Sequence, residues 1–235
     1  MAEHLSLPRV VIITGTGTGV GKTVATAALT VMLLRRGVEV AVVKPTQTGV
    51  GPDEPGDIGE VRRLAGGGAT YHELVRLPDP LAPASAARRA GVCLPSVAAH
   101  ARRIEELTGS HDVVLVEGAG GLLVRLDSRG GTLADLGSAL RYKGVGAGFI
   151  IVVEPGLGSL NHTALTAEAL RRRDLPILGL VIGSWPADPD LAMTENRADL
   201  PEVAGARVLG TLPWGAGGLP PQDFQQAAPQ WLTVE

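Results

Sequence analysis

The stretch Gly15-Thr16-Gly17-Thr18-Gly19-Val20-Gly21-Lys22-Thr23 limits the possible folds more than any other part of the chain. It follows an apolar, β-branched run, Arg9 to Thr14 (RVVIIT), and opens a segment rich in Ala, Leu and Met, Lys22 to Arg36. That order reads strand, loop, helix. Glycines let successive backbone N–H groups converge on oxygen atoms, and the helix N-terminus adds positive potential, so the stretch is a cradle for phosphate. Lys22 is placed to reach the β and γ phosphates of a nucleoside triphosphate, and Thr23 to offer its hydroxyl to a magnesium ion. Gly15 lies six residues before Gly21, so the loop is one residue longer than the strict G-x-x-x-x-G-K-[ST] form. A glycine-rich turn that merely ends a strand is the competing reading, and Gly-Lys-Thr opening a helix argues against it. A dinucleotide fingerprint fits worse, because no G-x-G-x-x-G can be laid over the loop with its third glycine in place.

The pattern continues along the chain. Gly37 closes the first helix and Val38 to Val43 reads as a second strand, reached by a crossover long enough to make the two parallel. Asp112 to Val116, Ala147 to Val153 and Ile177 to Ile182 are continuous apolar runs, as strands buried on both faces are, and Arg207 to Leu212 reads as a last strand. Helical segments are expected at Asp57 to Ala65, Ser96 to Leu107, Thr132 to Leu140, Leu160 to Arg172 and Pro189 to Asp199. The expectation is an α/β fold of P-loop NTPase type: a mostly parallel central sheet with helices on both faces, in one domain spanning 1–235. Ligands of such sheets bind beyond the carboxyl ends of the strands.

Composition removes whole classes. With 21 Lys and Arg against 24 Asp and Glu, the formal charge is -3, and no basic surface for nucleic acid is expected. The run Arg171-Arg172-Arg173 reads as a solvated helix end that complements the carbonyl end of the dipole. One cysteine, Cys93, allows no internal disulfide, and the five histidines show no zinc-type spacing. Met1 to Pro8 has no apolar stretch of signal length, and no run is long enough to span a membrane, so a cytoplasmic location without membrane attachment is expected.

Two more strand ends carry chemistry. The second strand leads into Lys44-Pro45-Thr46-Gln47-Thr48-Gly49, which sets a second lysine beside the first loop if the two strands are neighbours. The third ends Val116-Glu117-Gly118-Ala119-Gly120-Gly121, where Glu117 is either a magnesium ligand opposite Thr23 or a turn residue. Asp53, Glu54 and Asp57 lie in a Gly/Pro-rich loop, and spacing does not choose among them; Asp57 could simply cap the next helix. Trp185 and Trp214 follow strand ends on the side expected for the base.

Taken in order, Gly15 to Thr23, Lys44-Pro45 with Thr48-Gly49, Val116 to Gly121, Gly158-Ser159-Leu160-Asn161-His162 and Leu212-Pro213-Trp214 resemble the dethiobiotin synthetase family over nearly the whole chain. The resemblance implies ATP-dependent ring closure of 7,8-diaminononanoate with carbon dioxide or bicarbonate, through a carbamate and a carbamic-phosphoric anhydride, with Mg2+ as cofactor. It implies that Lys44 holds the carbamate and the transferring phosphoryl group, Lys22 the β and γ oxygens, and Thr18 a γ oxygen or the carbamate. It makes Thr23, Asp57 and Glu117 the magnesium ligands. Nucleotide contacts fall on Gly19, Val20, Gly21, Val24, Gly118, Ala119, Gly120, Gly183, Ser184, Pro213, Trp214 and Gly215. Thr48 and Gly158, Ser159, Leu160 and Asn161 face the substrate, the last four supplied by the partner of a homodimer.

One departure stands out. Where the family often has Asn-Asp after the Ile177 to Ile182 strand, the Asn reading the adenine edge, this chain has Gly183-Ser184. Weaker discrimination for adenine is expected, so another triphosphate such as CTP can serve. Two other readings are a partitioning or switch ATPase and a related P-loop ligase that activates a carboxylate. The first commonly has an additional lysine early in its loop, absent here; the second usually carries a glutaminase region with a nucleophilic cysteine, for which Cys93 has no context.

Overall fold

The computed structural model describes residues 7–233; the expectation about a leader at Met1 to Ser6, and the last two residues of the proposed domain, lie outside it. In chain order the elements are β1 (Val10–Gly15), α1 (Lys22–Arg35), β2 (Val40–Lys44), β3 (Gln47–Thr48), α2 (Gly56–Ala65), β4 (Thr70–Glu73), β5 (Arg76–Leu77), α3 (Pro83–Ala90) and α4 (Val97–Thr108). They continue with β6 (Val113–Glu117), α5 (Leu133–Tyr142), β7 (Ala147–Val153), α6 (Ser159–Arg171), β8 (Ile177–Trp185), α7 (Leu191–Ala204), β9 (Val208–Pro213) and α8 (Pro221–Ala227).

Seven strands form one parallel sheet in the order β4-β2-β6-β1-β7-β8-β9, and β3 pairs with β5 in a small second sheet. Alternate residues of each strand point to opposite faces. Val10 and Ile12 accordingly pack with Ile104, Leu136, Leu170 and Leu200 from α4 to α7, while Val11 and Ile13 pack with Leu29, Leu64 and Phe224 from α1, α2 and α8. The central strands are buried on both sides, which is why they read as continuous apolar runs.

The helix starts follow local capping chemistry. Ser96 accepts from the Ala99 N–H, Thr132 forms a capping box with Asp135, and Asp190 accepts from Met193 at 2.7 Å. Two boundaries differ clearly from expectation: β8 runs on past Ile182, so Gly183, Ser184 and Trp185 lie within the strand and not after it, and α7 passes through Pro201 and ends at Ala204 rather than near Asp199. An interior proline costs about 3 kcal/mol, and the full burial of Leu200 and Ala204 on either side of it works against that cost. The arginine run ends α6 as expected, with Arg172 paired to Glu168 at 2.5 Å on the surface. Among the described residues no helix is long and apolar enough to cross a membrane.

Candidate active site

The loop between β1 and α1 sits at the carboxyl end of the sheet's central strand. Gly21 immediately precedes α1 with φ 95°, a left-handed conformation that a side chain would strain. No acidic residue occupies the first turn of α1, so nothing there opposes an anion at the helix N-terminus. Lys22 bends back over the loop, and its Nζ donates to the Gly17 carbonyl at 2.7 Å.

Strand order corrects one expectation. Lys44 and the phosphate loop are not on neighbouring strands, because β6 lies between β2 and β1. The two lysines meet all the same, since both line one cleft of about 760 Å³ together with Thr18, Gly19, Gly21, Thr23, Val24, Thr48, Asp57, Glu117, Ala119 and Gly120. The intervening strand supplies the group that joins them. Glu117 Oε1 accepts from Lys44 Nζ at 2.8 Å and from the Thr23 hydroxyl at 3.0 Å, and Lys44 also donates to the Gly118 carbonyl at 3.1 Å.

The structure separates the three acids that spacing left open. The Asp57 carboxylate forms a close ion pair with Lys44, so its side chain faces the cleft instead of capping α2. Glu54 turns back to accept from the Gly51 N–H at 3.1 Å, and Asp53 is exposed. Lys44 and Glu117 are 2% and 1% exposed, so the pair stands almost out of water. Burial lowers the Lys22 pKa below the ordinary lysine value; Lys44 adds repulsion, and Glu117 and Asp57 offset only part of it. Burial acts the same way on Lys44, but Glu117 and Asp57 outweigh it by charge and hydrogen bonding, leaving its pKa above the ordinary value.

This donor set suits magnesium. Thr23, Glu117 and Asp57 offer hard oxygens, and the two carboxylates balance the two lysines, so the charge of an incoming triphosphate is left for a divalent cation to offset. Among the described residues no three His, Cys, Asp or Glu side chains gather as a metal cage.

A second cavity of about 560 Å³ shares Gly19 with the first and is lined by Val20, Glu154, Pro155, Gly156, Ser184, Pro186, Met193 and Trp214. Trp214 is 78% exposed, whereas Trp185 packs against the core with the Arg197 guanidinium 5.2 Å from its ring centre. Gly183 does not line this cavity; it lies against the back of the phosphate loop, where an added Cβ would stand 1.8 Å from the Val20 carbonyl oxygen. Pro213 and Gly215 flank Trp214 without lining the cavity, and Gly158, Ser159, Leu160 and Asn161 line neither cavity of their own chain. Sequence reasoning passed over Gln47, the segment Pro80 to Pro83, Val124, Glu154 and Met193. Of these Gln47 had a signal in its place between Lys44 and Thr48, and Glu154 in its place at the carboxyl end of the Ala147 to Val153 strand.

A parallel sheet with this loop at its centre, a lysine and threonine opening the helix and an acid at the adjacent strand end define the class as a P-loop nucleoside triphosphatase. The fold is similar to that of the septum site-determining protein MinD complexed with Mg-ADP from Pyrococcus horikoshii, with a TM-score of 0.58, 19% identity and coverage of 96% of this chain and 93% of that one. The cell division ATPase MinD of Pyrococcus furiosus is likewise similar in fold, with a TM-score of 0.56, 22% identity and coverage of 94% and 97%. A family model described as an AAA domain matches residues 9–219. In sequence the chain is 56% identical to the ATP-dependent dethiobiotin synthetase BioD of Streptomyces coelicolor, over 95% of this chain and 92% of that protein. It is 52% identical to the protein of the same name from Rhodococcus erythropolis, over 92% and 93%. The chain belongs to the ATP-dependent dethiobiotin synthetase family, and the switch-ATPase reading is not favoured.

Proposed function

We propose that the cleft around Lys44 is where this synthetase activates a carbamate by phosphoryl transfer. The enzyme uses ATP with Mg2+ to convert 7,8-diaminononanoate and carbon dioxide to dethiobiotin, releasing ADP and phosphate. A substrate amine adds to carbon dioxide and loses a proton, giving a carbamate. The carbamate oxygen attacks the γ phosphorus as the bond to the β-phosphate oxygen breaks; the second amine then attacks the carbamoyl carbon, expels phosphate and closes the ring. No protein nucleophile is required, so catalysis is positioning and charge neutralisation.

The observation that carries this reading is the buried Lys44, held charged by Glu117 and Asp57 within the same cleft as Lys22. Lys22 neutralises the β and γ oxygens and Thr18 donates to a γ oxygen or the carbamate. Lys44 follows the charge as it moves from carbamate to phosphoryl group. Thr23, Asp57 and Glu117 would hold Mg2+, which supplies charge neutralisation between the β and γ phosphates. Backbone from Gly19 to Val24 and from Gly118 to Gly120 cradles the triphosphate, and Thr48 takes a hydrogen bond on the substrate side. Ser184 and Trp214 border the base, with Pro213 and Gly215 shaping the Trp214 loop and Gly183 backing the phosphate loop.

We also assign residues 1–235 to one domain acting as a homodimer, with Gly158 to Asn161 at the start of α6 facing the substrate carboxylate of the partner's site and offering it N–H groups other than that of Ser159, which donates to the Gly156 carbonyl. Leu157 and Leu165, which are 93% and 57% exposed beside them, support this. ATP dependence supports a cytoplasmic setting. Product analysis with diaminononanoate, bicarbonate, magnesium and each triphosphate in turn tests the reaction. Dethiobiotin should form, with phosphate release requiring diamine and bicarbonate together; release indifferent to both would overturn the assignment.

A further inference from the structure

Asp57 has to be held in place, and its own loop does little of the holding. Residues 49 to 56 are rich in glycine and proline, and Pro52, Asp53, Glu54 and Pro55 are exposed, so apolar burial does not fix the segment. The α2 helix that follows has no side-chain cap from its own N-cap residue, Pro55. Two residues from the small second sheet do both jobs. Gln47, 4% exposed, accepts the Asp57 N–H on Oε1 at 2.9 Å while its Nε2 donates to the Thr48 carbonyl at 3.0 Å. Arg76 donates from one Nη to the carbonyls of Gly51 and Glu54, both at 2.6 Å.

Arg76 is in turn held by Glu73, with Nε on Oε1 at 2.6 Å and the other Nη on Oε2 at 2.9 Å, a two-pronged pairing that fixes the plane of the guanidinium. Gln47 and Arg76 face each other in register across β3 and β5, and the Gln47 N–H donates to the Val75 carbonyl at 2.8 Å. Both close on Gly56, whose φ is 57° and where an added Cβ would meet the Arg76 Nη and Gln47 Oε1 at 3.2 Å each.

We propose that Gln47 and Arg76 are positioning residues that fix Asp57 for the metal, and that this strut sets the divalent-cation affinity of the site. The proposal rests on the reading of Asp57 as a metal ligand. Its sign separates it from simple electrostatics: loss of a nearby positive charge at Arg76 would by itself strengthen cation binding, whereas release of Asp57 weakens it.

The test uses Mn2+ as the probe, its binding to the full-length enzyme with ADP followed by electron paramagnetic resonance, beside the Mg2+ dependence of diamine-dependent phosphate release. Arg76→Gln and Gln47→Met should each raise the Mn2+ dissociation constant and the half-saturating Mg2+ concentration about tenfold, as expected for loss of supporting groups around a metal site. Nucleotide affinity in EDTA should stay unchanged, saturating Mg2+ should restore most of kcat, and Arg76→Lys should fall between. If Asp57→Asn weakens Mn2+ binding but both strut variants bind it like the parent, the positioning role is overturned and the ligand role stands. If Asp57→Asn also binds Mn2+ normally, the ligand reading fails and the strut proposal with it. Should one strut variant fail to fold, the other decides.

Discussion

In the cleft proposed for the phosphates four charged side chains, Lys22, Lys44, Asp57 and Glu117, converge, whereas Glu154 is the single charged lining residue of the adjoining cavity proposed for the base. The difference follows from what each end must recognise. A migrating phosphoryl charge is stabilised by fixed opposite charges in a site poor in water. A base is a flat, neutral ring that is held by shape and by a few hydrogen bonds. The two ends meet at the phosphate loop, with Gly19 on both cavity walls and Gly183 pressed against its back.

The sharpest way to break this contrast is at Lys44. Lys44→Ala should lower turnover at least about 100-fold, the scale of removing one preorganised charge stabiliser, while nucleotide affinity changes little; Lys22→Ala should impair both. Removing Lys44 also leaves Glu117, 1% exposed, without its ammonium, a loss of about 3–5 kcal/mol for a broken buried pair. Thermal unfolding therefore has to accompany the kinetics, and Lys44→Arg, which keeps the charge but replaces a point donor by a planar fork, should fold and still turn over poorly. Near-parental turnover in either variant would dissolve the distinction between the two ends.

The two ends also differ in how much of them the sequence revealed. The phosphate loop, Lys44 and Glu117 were legible because charge chemistry needs particular residue types at the ends of buried, uninterrupted strands, and those strands are easy to read. Asp57 was visible as one of three acids, but only folding showed that it reaches Lys44 while Glu54 turns back on Gly51. The surrounding scaffold was not legible. The edge strand β4 is the polar TYHE with no buried residue, β3 and β5 are two residues each, and α3 begins at a proline and buries only Pro83, Ala86 and Ala87. Such elements exist through tertiary contacts and leave no period to detect. The base end was harder still, since Glu154, Pro186 and Met193 come together from the ends of two strands and a helix with no shared motif.

A middle-sized effect is expected where the ends join. Gly183→Ala places a carbon 1.8 Å from the Val20 carbonyl oxygen, and Gly21 approaches the same backbone from the other side, its would-be Cβ 2.5 Å from the Gly183 carbonyl oxygen. Neither partner is a flexible side chain, so the loop or the end of β8 has to move, at about 1–3 kcal/mol for overpacking. The melting temperature should fall by several degrees and affinity for every triphosphate should drop, whatever its base. A parental melting temperature with altered base preference would instead make Gly183 a reader of the base.

The smallest effect should come from the base end itself. The position after Ile182 where the family often carries an asparagine holds Gly183, near the end of β8, and the backbone of the phosphate loop leaves no room there for any side chain. Ser184 and the exposed ring of Trp214 remain in the cavity proposed for the base. Stacking on an indole accepts every base, because all present a π face, and a single neutral hydrogen bond is worth only about 1 kcal/mol net. Values of kcat/KM for ATP and CTP should therefore lie within about tenfold of each other, since tenfold is 1.4 kcal/mol. Trp214→Ala should weaken all four triphosphates by a similar small factor, about 2- to 10-fold if the ring contributes an ordinary aromatic contact. Strong preference for ATP over CTP, GTP and UTP, or a Trp214→Ala loss confined to one base, would mean that this apolar cavity reads the base by its edge, and the contrast with the phosphate end would then be one of chemistry without a difference in selectivity.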